Sequence, residues 1–179
     1  MAFEEAAKGA VTAMVCSGDA GIYGMAGLMY EIGEEYPEVA IEVIPGVTAA
    51  LGGSAVLGAA VGHDVSLISL SDLLTPWELI EERLRCAGKA DFVICLYNPS
   101  SRKRSTYLAK ACEIMLEYKA EDTVCGIVKN IAREGETMQT LTLKELKETT
   151  VDMFSTVFIG NKQTKVIREK MVTPRGYRI

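Results

Sequence analysis

Apolar and polar positions along the chain alternate between runs typical of strands and spacings typical of helices. Short, nearly continuous apolar runs predict buried strands, and apolar residues at helical spacing predict helices between them. The predicted strands are 11–16, 40–44, 65–70, 91–97, 123–128 and 155–159. The predicted helices are 23–36, 48–60, 75–87, 108–116 and 144–148. Strands that are apolar on both faces and separated by helices indicate an α/β fold, with a largely parallel sheet covered on both sides.

The pattern also suggests a boundary between two lobes. A helix of small residues ends near Ala60, and a new strand begins at Val65. We therefore expect a partial N-terminal α/β lobe over 1–62 and a C-terminal α/β lobe over 63–179. Parallel sheets bind ligands at the C-terminal ends of their strands, so the loops that follow the strands are the candidates for function.

Composition narrows the classes of function. The 179 residues are 49% hydrophobic and 24% charged, as in soluble globular proteins, and the formal net charge is −5. This charge does not favour nucleic-acid binding. No apolar stretch is long enough to span a bilayer, and the N-terminus does not resemble a secretory signal. We expect a cytoplasmic protein without nucleic-acid or membrane partners.

The cysteines and the histidine do not form a metal-binding pattern. The five cysteines, at 16, 86, 95, 112 and 125, include no C-x-x-C pair, and His63 is the only histidine. We therefore expect no metal site. Their odd number in an intracellular-looking chain argues against a disulfide framework, and the last three lie in apolar runs typical of core residues.

The loop after the first predicted strand is the most distinctive of the chain. It reads Ser17-Gly18-Asp19-Ala20-Gly21-Ile22-Tyr23-Gly24-Met25. Its glycines allow sharp turns and close approach to a ligand, and the Asp19 carboxylate can accept hydrogen bonds. It is neither a dinucleotide fingerprint nor a Walker loop. The loop indicates either a small-molecule site or a tight turn in which Asp19 caps the next helix.

Two further loops carry candidate chemistry. Small residues follow Pro45-Gly46-Val47-Thr48, and they allow close approach of either a ligand or a packed sheet. The segment Asn98-Pro99-Ser100-Ser101-Arg102-Lys103-Arg104-Ser105 follows the strand 91–97 and is polar and basic. Its cations could pair with carboxylates of an acidic substrate, or they could form a solvated helix start.

Taken together, these loops resemble the motifs of the tetrapyrrole methylase family. S-G-D-A-G-I-Y-G-M is similar to the family's G-D-P-x-x-Y-G loop, and P-G-V-T-A-A to its P-G-[VI]-[ST]-[SA] motif. G-H-D-V-S-L-I-S-L-S-D resembles the segment that opens the family's second lobe. L-Y-N-P-S-S-R-K-R and I-G-N-K-Q-T resemble one branch, the precorrin-3B C17-methyltransferases, also called cobalt-factor III or ring-contracting methyltransferases.

The resemblance implies a fold, a cofactor and a reaction. The fold is two α/β lobes with S-adenosyl-L-methionine between them, and S-adenosyl-L-homocysteine is the product. The reaction is methylation of C17 of precorrin-3B or cobalt-factor III with ring contraction, in cobalamin (vitamin B12) biosynthesis. A homodimer is also implied. Residues implied in cofactor binding are Gly18, Asp19, Ala20, Gly21, Ile22, Thr48, Ala49, Tyr97, Asn130 and Ala132.

The chain departs from the family pattern in two places. Ala20 stands where many relatives have proline. The family normally opens with a strand and a Gly-Pro-Gly loop before the segment that matches Met1. We therefore expect an incomplete first lobe, and a chain whose activity depends on how much of that lobe is present.

Methyl transfer of this kind needs alignment and exclusion of water more than it needs a covalent nucleophile, because the sulfonium is itself electrophilic. Ring contraction also needs proton transfers. Our candidates for catalytic proton transfer are His63 and Asp19, with Asp64 and Glu134 as further groups.

For substrate binding, we hypothesise that Arg102, Lys103 and Arg104 pair with the peripheral carboxylates of the tetrapyrrole. Three alternatives stay open. The chain could act on another precorrin or on uroporphyrinogen, it could be a non-catalytic cofactor- or tetrapyrrole-binding module, or it could be an unrelated nucleotide-binding domain.

Overall fold

A computed structural model describes residues 1–177. The helices are α1 (Ala2–Ala7), α2 (Ala26–Gly33), α3 (Ala49–Leu57), α4 (Trp77–Lys89), α5 (Tyr107–Leu116) and α6 (Leu143–Lys147). The strands are β1 (Gly58–Ala59), β2 (Val65–Ser69), β3 (Val93–Tyr97), β4 (Val124–Lys129), β5 (Thr137–Thr142), β6 (Ser155–Ile159), β7 (Lys165–Ile167) and β8 (Lys170–Val172). None of the helices within residues 1–177 is long and apolar enough to cross a lipid bilayer.

The chain divides into two compact units, the first covering Met1–Ala49 and the second beginning at Ala50. The division falls after the first residue of the small-residue helix α3, whereas the sequence pattern placed a lobe boundary beyond this helix, at 62/63. That boundary stays a prediction about the family's lobes.

A five-stranded sheet forms the centre of the second unit, in the order β2-β3-β6-β4-β5. β2 and β3 are parallel, but β6 pairs antiparallel with both β3 and β4, and β5 pairs antiparallel with β4. The prediction of a largely parallel sheet is therefore wrong. The physical reason is the path of the chain. The segment 143–154 leads back to the side of the sheet where β4 ends, so β6 starts there and runs antiparallel to β4.

Both faces of this sheet are covered, as the apolar runs predicted. The larger cluster lies on one face and contains buried side chains of α4, α5 and α6, including Ile80, Leu84, Cys112, Met115 and Leu146. The cluster on the other face contains residues from α3 and β8, with Leu57 and Met171 packed near Cys95, Val128 and Phe158. Alternate residues of the strands β3, β4 and β6 supply the two clusters, as a period of two requires.

Glycine allows α3 to approach the sheet closely. A Cβ at Gly53 would lie 2.8 Å from Phe158 Cζ and 3.0 Å from Ile131 Cδ1. On the sheet side, a Cβ at Gly126 would lie 2.6 Å from Leu57 Cδ1. The small residues of α3 therefore serve close helix–sheet packing, one of the two interpretations that the sequence left open.

A second, three-stranded sheet has the order β1-β8-β7. The sequence did not predict these strands, nor β5, nor α1. The reason is that they are short and largely exposed, as shown by the burial of only Met171 among the residues of β7 and β8.

The first unit contains α1, α2 and irregular segments. The predicted strands 11–16 and 40–44 are wrong, because neither segment pairs with a neighbour among residues 1–177. Their apolar side chains are exposed, with Val11 and Val15 at 105% and 87% and Ile44 at 69%. Strand propensity alone is not sufficient, because an extended segment becomes a strand only when its backbone pairs.

Candidate functional site

The glycine loop of the first unit is organised around Asp19. One oxygen, Oδ1, accepts hydrogen bonds from the backbone amides of Gly21 at 2.8 Å and Ile22 at 3.0 Å. The other oxygen, Oδ2, accepts from the amide of Gly46 at 2.9 Å. These backbone donors, Gly46 first, lower the pKa of Asp19 below its ordinary value. The carboxylate therefore joins two sequence motifs and remains ionised.

The two motifs meet backbone to backbone. A Cβ at Gly46 would lie 2.1 Å from the carbonyl oxygen of Gly18, so residue 46 must be glycine for this contact to exist. Gly18 itself has φ +78°, a conformation that suits glycine. Thr48, two residues after Gly46, is the one buried residue among residues 1–49, all of which the structure describes. Both loops predicted to bind cofactor in this unit are thus fixed by one carboxylate and one glycine.

The candidate site residues of the second unit lie at one edge of the five-stranded sheet. β2, β3 and β4 run in the same direction, so their C-terminal ends share this edge. Tyr97 ends β3, and Asn130 and Ala132 follow β4. The structure therefore brings these three predicted cofactor residues to one edge, as expected for parallel strands.

Three residues at this edge adopt left-handed backbone conformations. Asn98, Asn130 and Ala132 have φ of +51°, +54° and +56°. The loop after β4 is closed by internal bonds, in which Ala132 N donates to Glu136 Oε2 at 2.7 Å and Asn130 Nδ2 donates to Gly135 O at 3.3 Å. Such a conformation is unfavourable for alanine, and strained backbone of this kind is common at ligand sites.

The Tyr97 hydroxyl reaches the start of α3. It accepts a hydrogen bond from the backbone amide of Ala50 at 2.9 Å. Free amides at a helix start need an acceptor, and Tyr97 supplies one. A residue predicted to contact the cofactor is therefore also fixed by the fold.

The three cations in the loop after β3 differ in exposure and in their partners. Arg102 and Lys103 are exposed, and neither makes an ion pair with any residue that the structure describes. The Arg104 side chain is only 14% exposed and lies 3.5 Å from Asp72. The sequence grouped the three cations together, but the structure places one of them inside a network of protein contacts.

Asp72 and Tyr107 belong to this network, and sequence reasoning missed both. The Tyr107 hydroxyl donates to Asp72 Oδ2 at 2.6 Å. That bond is the largest cause that lowers the pKa of Asp72 and raises the pKa of Tyr107, and the nearby Arg104 charge lowers the pKa of Asp72 further. The sequence signals for Asp72 were its place at the end of the G-H-D-V-S-L-I-S-L-S-D segment and its position two residues after a predicted strand.

His63 lies at the opposite end of the β2–β3 pair. Val65 pairs with Val93 and Ser69 pairs with Tyr97, so His63, which precedes Val65, is separated from Tyr97 by the length of the strand. At about 3.3 Å per residue this strand is roughly 13 Å long. The structure therefore does not bring His63 and Tyr97 together, and the proton-transfer role of His63 stays a prediction.

The surroundings of His63 form a small cavity of about 290 Å³. Its lining includes Asp64, Asp91, Asn161 and Lys162. The Asp64 amide donates to His63 Nδ1 at 2.8 Å. Part of the I-G-N-K-Q-T motif thus lies at the sheet edge opposite to Tyr97.

Three cysteines lie in the core of the second unit. Cys95, Cys112 and Cys125 are fully buried. Burial raises the pKa of Cys112 to about 12 and also strongly raises the pKa values of the other two thiols. They are therefore unreactive core residues, as their apolar surroundings in the sequence indicated.

A comparison with known families gives the class of protein. Residues 1–147 match the family model for Tetrapyrrole (Corrin/Porphyrin) Methylases. The chain belongs to this family, and the resemblance stated from the loops is confirmed.

Three relatives make the assignment narrower. The chain is 48% identical over 177 residues to the probable cobalt-factor III C(17)-methyltransferase of Salmonella typhimurium, covering 98% of this chain and 73% of the relative. It is 47% identical over 179 residues to the protein of the same name from Methanocaldococcus jannaschii, covering 96% of this chain and 72% of that relative. It is 44% identical over 181 residues to the cobalt-factor III methyltransferase of Priestia megaterium, covering 98% of this chain and 34% of the relative.

Solved structures share the fold. The methyltransferase CobJ superposes with a TM-score of 0.88 at 33% identity, covering 96% of this chain and 73% of that chain. A uroporphyrin-III C-methyltransferase from Thermus thermophilus, complexed with S-adenyl homocysteine, superposes with a TM-score of 0.58 at 19% identity, covering 80% of this chain and 62% of that chain. The α/β fold of the tetrapyrrole methylases, expected from the sequence, is confirmed.

Proposed function

We propose that this chain transfers a methyl group from S-adenosyl-L-methionine to C17 of precorrin-3B or cobalt-factor III, with ring contraction, in cobalamin biosynthesis. The observation that carries the proposal is the identity of nearly half of all residues, over 98% of this chain, with a relative of that name. Other branches of the family are represented by more distant structures, at 19–22% identity.

The residues present fit an adenosyl cofactor. The Thermus thermophilus neighbour carries the homocysteine form of this cofactor, which supports its use here. Small side chains at Gly18, Ala20 and Gly21 leave the backbone of the first loop accessible, and Asp19 fixes that backbone from within. Bound to such residues, the cofactor supplies an electrophilic methyl group on a sulfonium.

The candidate cofactor residues of each unit are fixed by hydrogen bonds within that unit. In the first unit these are Gly18–Ile22, Thr48 and Ala49, held by the bond from the Gly46 amide to Asp19. In the second unit they are Tyr97, Asn130 and Ala132, held by the bonds to Ala50 and Glu136. Their proposed work is to fix the cofactor rigidly, because in-line methyl transfer depends on alignment of the reacting atoms.

Among the candidate proton-transfer groups, the hydrogen bonds of Asp19 favour a structural task. Both of its oxygens accept backbone hydrogen bonds, and its pKa is lowered, so it is poorly suited to accept a proton near neutral pH. His63 lies at the sheet edge opposite to Tyr97. We therefore propose Asp19 as a residue that shapes the loop, and leave proton transfer by His63 as a hypothesis to test by substitution.

The exposed cations after β3 are the proposed binding groups for the substrate. A tetrapyrrole carries peripheral carboxylates, and Arg102 and Lys103 are exposed cations without ion pairs among residues 1–177. We further propose that the protein is cytoplasmic and works as a homodimer, as the family resemblance implies. Light scattering coupled to size-exclusion chromatography measures the dimer directly.

The test is cofactor binding followed by turnover. Calorimetric titration of the purified chain with S-adenosyl-L-homocysteine should show saturable binding at one site per chain, and Gly46→Ala should weaken it. The chain should then transfer a labelled methyl group to cobalt-factor III or precorrin-3B, with the product identified by mass and NMR as C17-methylated and ring-contracted. Binding without transfer to either substrate would contradict the proposed reaction but not the cofactor.

A further inference from the structure

Two loops leave the same edge of the sheet side by side. β2 and β3 are parallel, with Ser69 opposite Tyr97, so the segments 70–76 and 98–106 begin at neighbouring positions. At the base of the loops, Asn98 Nδ2 donates to Ser69 Oγ at 2.9 Å. The second of these loops carries the two exposed cations. Its conformation therefore decides where those cations point.

Arg104 makes a second connection between the two loops, beyond the Asn98–Ser69 hydrogen bond. Its Nη1 donates to Ser71 Oγ at 2.5 Å and lies 3.5 Å from Asp72 Oδ1. Its Nε donates to Ser101 Oγ at 3.1 Å within its own loop. One planar guanidinium thus spans both loops, a task for which a lysine ammonium lacks the geometry.

Tyr107 anchors the same carboxylate from the start of α5. Its hydroxyl donates to Asp72 Oδ2 at 2.6 Å, so Asp72 lies between the arginine and the tyrosine. The Tyr107 ring packs against Trp77 at the start of α4, with ring centroids 4.3 Å apart. The linked loops are thereby attached to two helices of the core.

We propose that Arg104 is a positioning residue that holds the 98–106 loop to the 70–76 loop, so that Arg102 and Lys103 face the carboxylates of the substrate. This inference rests on the proposed function and refines it, because only two of the three cations would meet the substrate. Arg104 acts through Ser71, Ser101 and Asp72 rather than by contact with the substrate.

The test compares Arg104→Lys with a variant that removes the charge at position 104 and with variants at other cations. Lysine keeps the charge but cannot bridge Ser71, Ser101 and Asp72 together. We expect Arg104→Lys to lower kcat/KM for the tetrapyrrole by about tenfold or more, as misalignment does, and to match Arg104→Gln. Amide hydrogen exchange across 98–106 should become at least about tenfold faster in both variants.

Two variants serve as references. Arg85→Lys is the matched control, because Arg85 pairs with Glu117 on the helical face and neither residue belongs to the site. It should leave kcat/KM and exchange across 98–106 unchanged. Arg102→Gln combined with Lys103→Gln should raise KM for the tetrapyrrole and reduce its salt dependence, without accelerating exchange in the loop.

Two outcomes would overturn the proposal. If Arg104→Lys retained wild-type kcat/KM, charge alone would be the requirement. If it lost activity with unchanged loop exchange, Arg104 would contact the substrate itself.

Tyr107→Phe provides a second variant that keeps every charge. It should accelerate amide exchange in 98–106 by a smaller factor than Arg104→Lys does. In the variant that combines both substitutions, the acceleration of exchange should be less than the product of the two single factors. Unchanged exchange in Tyr107→Phe would also contradict the proposal. Loop exchange is measured without turnover, so failure of the proposed methyl transfer would be seen separately, in the wild-type chain.

Discussion

The two compact units of this chain are stabilised in different ways. In the second unit, a sheet covered on both faces buries large side chains, among them Phe158, Leu96 and Met115. In the first unit, Thr48 is the only buried residue that the structure describes, and the loops are fixed by hydrogen bonds to Asp19. Burial of apolar surface is the dominant source of folding free energy, so it is concentrated in the second unit. A loop can therefore be well defined geometrically by hydrogen bonds where little surface is buried.

The largest expected effect comes from removing a core side chain of the second unit. Phe158→Ala should lower the free energy of unfolding by about 3–5 kcal/mol, because a fully buried ring is replaced by a cavity beneath α3. Val15→Ala, at a residue that is 87% exposed in the first unit, should change it by less than about 0.5 kcal/mol. Urea denaturation followed by circular dichroism measures both. Equal effects would contradict the contrast between the units.

Thiol reactivity should next distinguish the core of the second unit from thiols outside that core. Burial and raised pKa values should make Cys95, Cys112 and Cys125 react with iodoacetamide at least about a thousandfold more slowly than exposed Cys86 at pH 8. Cys16 of the first unit, which is partly exposed, should react at a rate nearer to that of Cys86. Peptide mass spectrometry over time identifies each site. Fast labelling of the core cysteines in the native protein would show that the second unit opens readily.

A smaller effect is expected from the glycine contact of the first unit. Gly46→Ala would place a Cβ 2.1 Å from the Gly18 carbonyl oxygen, so the two loops must separate. Affinity for S-adenosyl-L-homocysteine should fall at least about tenfold, equivalent to about 1.4 kcal/mol, while global stability stays the same. Gly27→Ala is the matched control, since a Cβ there meets no atom within 4 Å. Calorimetry should find its affinity unchanged.

The smallest effect concerns pH. The pKa of Asp19 is lowered in the folded protein, so its contribution to loop stability is fully present above the ordinary value of 3.8 and is lost as pH falls through the lower folded value. The amide resonances of Gly21 and Gly46 should therefore shift with a common midpoint below 3.8. In Asp19→Asn, this titration should disappear from both resonances. A midpoint above 3.8 would contradict the hydrogen bonds described.

Sequence patterns predicted the second unit well where burial decides the structure. The run 91–97 became β3, and the helical spacing of Leu108, Cys112 and Met115 became α5. The polar strand β5 was missed, because an exposed edge strand has no apolar signal. The segments 11–16 and 40–44 had that signal and are not strands, since pairing depends on residues distant in sequence.

The candidate site shows the same limit. Motif resemblance located the loops around Asp19 and after Tyr97, because their residue types and order are distinctive. It could not distinguish Arg104 from Arg102, since the partners Ser71 and Asp72 are more than thirty positions away in the chain. Nor could it show that His63 and Tyr97 lie at opposite ends of one strand pair.

The position of β6 has a consequence for the synthesis of the protein. This strand lies between β3 and β4 in the sheet but is made after both, so the ribosome releases two halves of a sheet before the strand that joins them. Until Ser155–Ile159 has emerged, β3 and β4 each present an unpaired edge, and such edges favour aggregation. Long-range pairing of this kind also slows folding. The edges of β3 and β4 that later pair with β6 are therefore exposed to aggregation until β6 has joined the sheet.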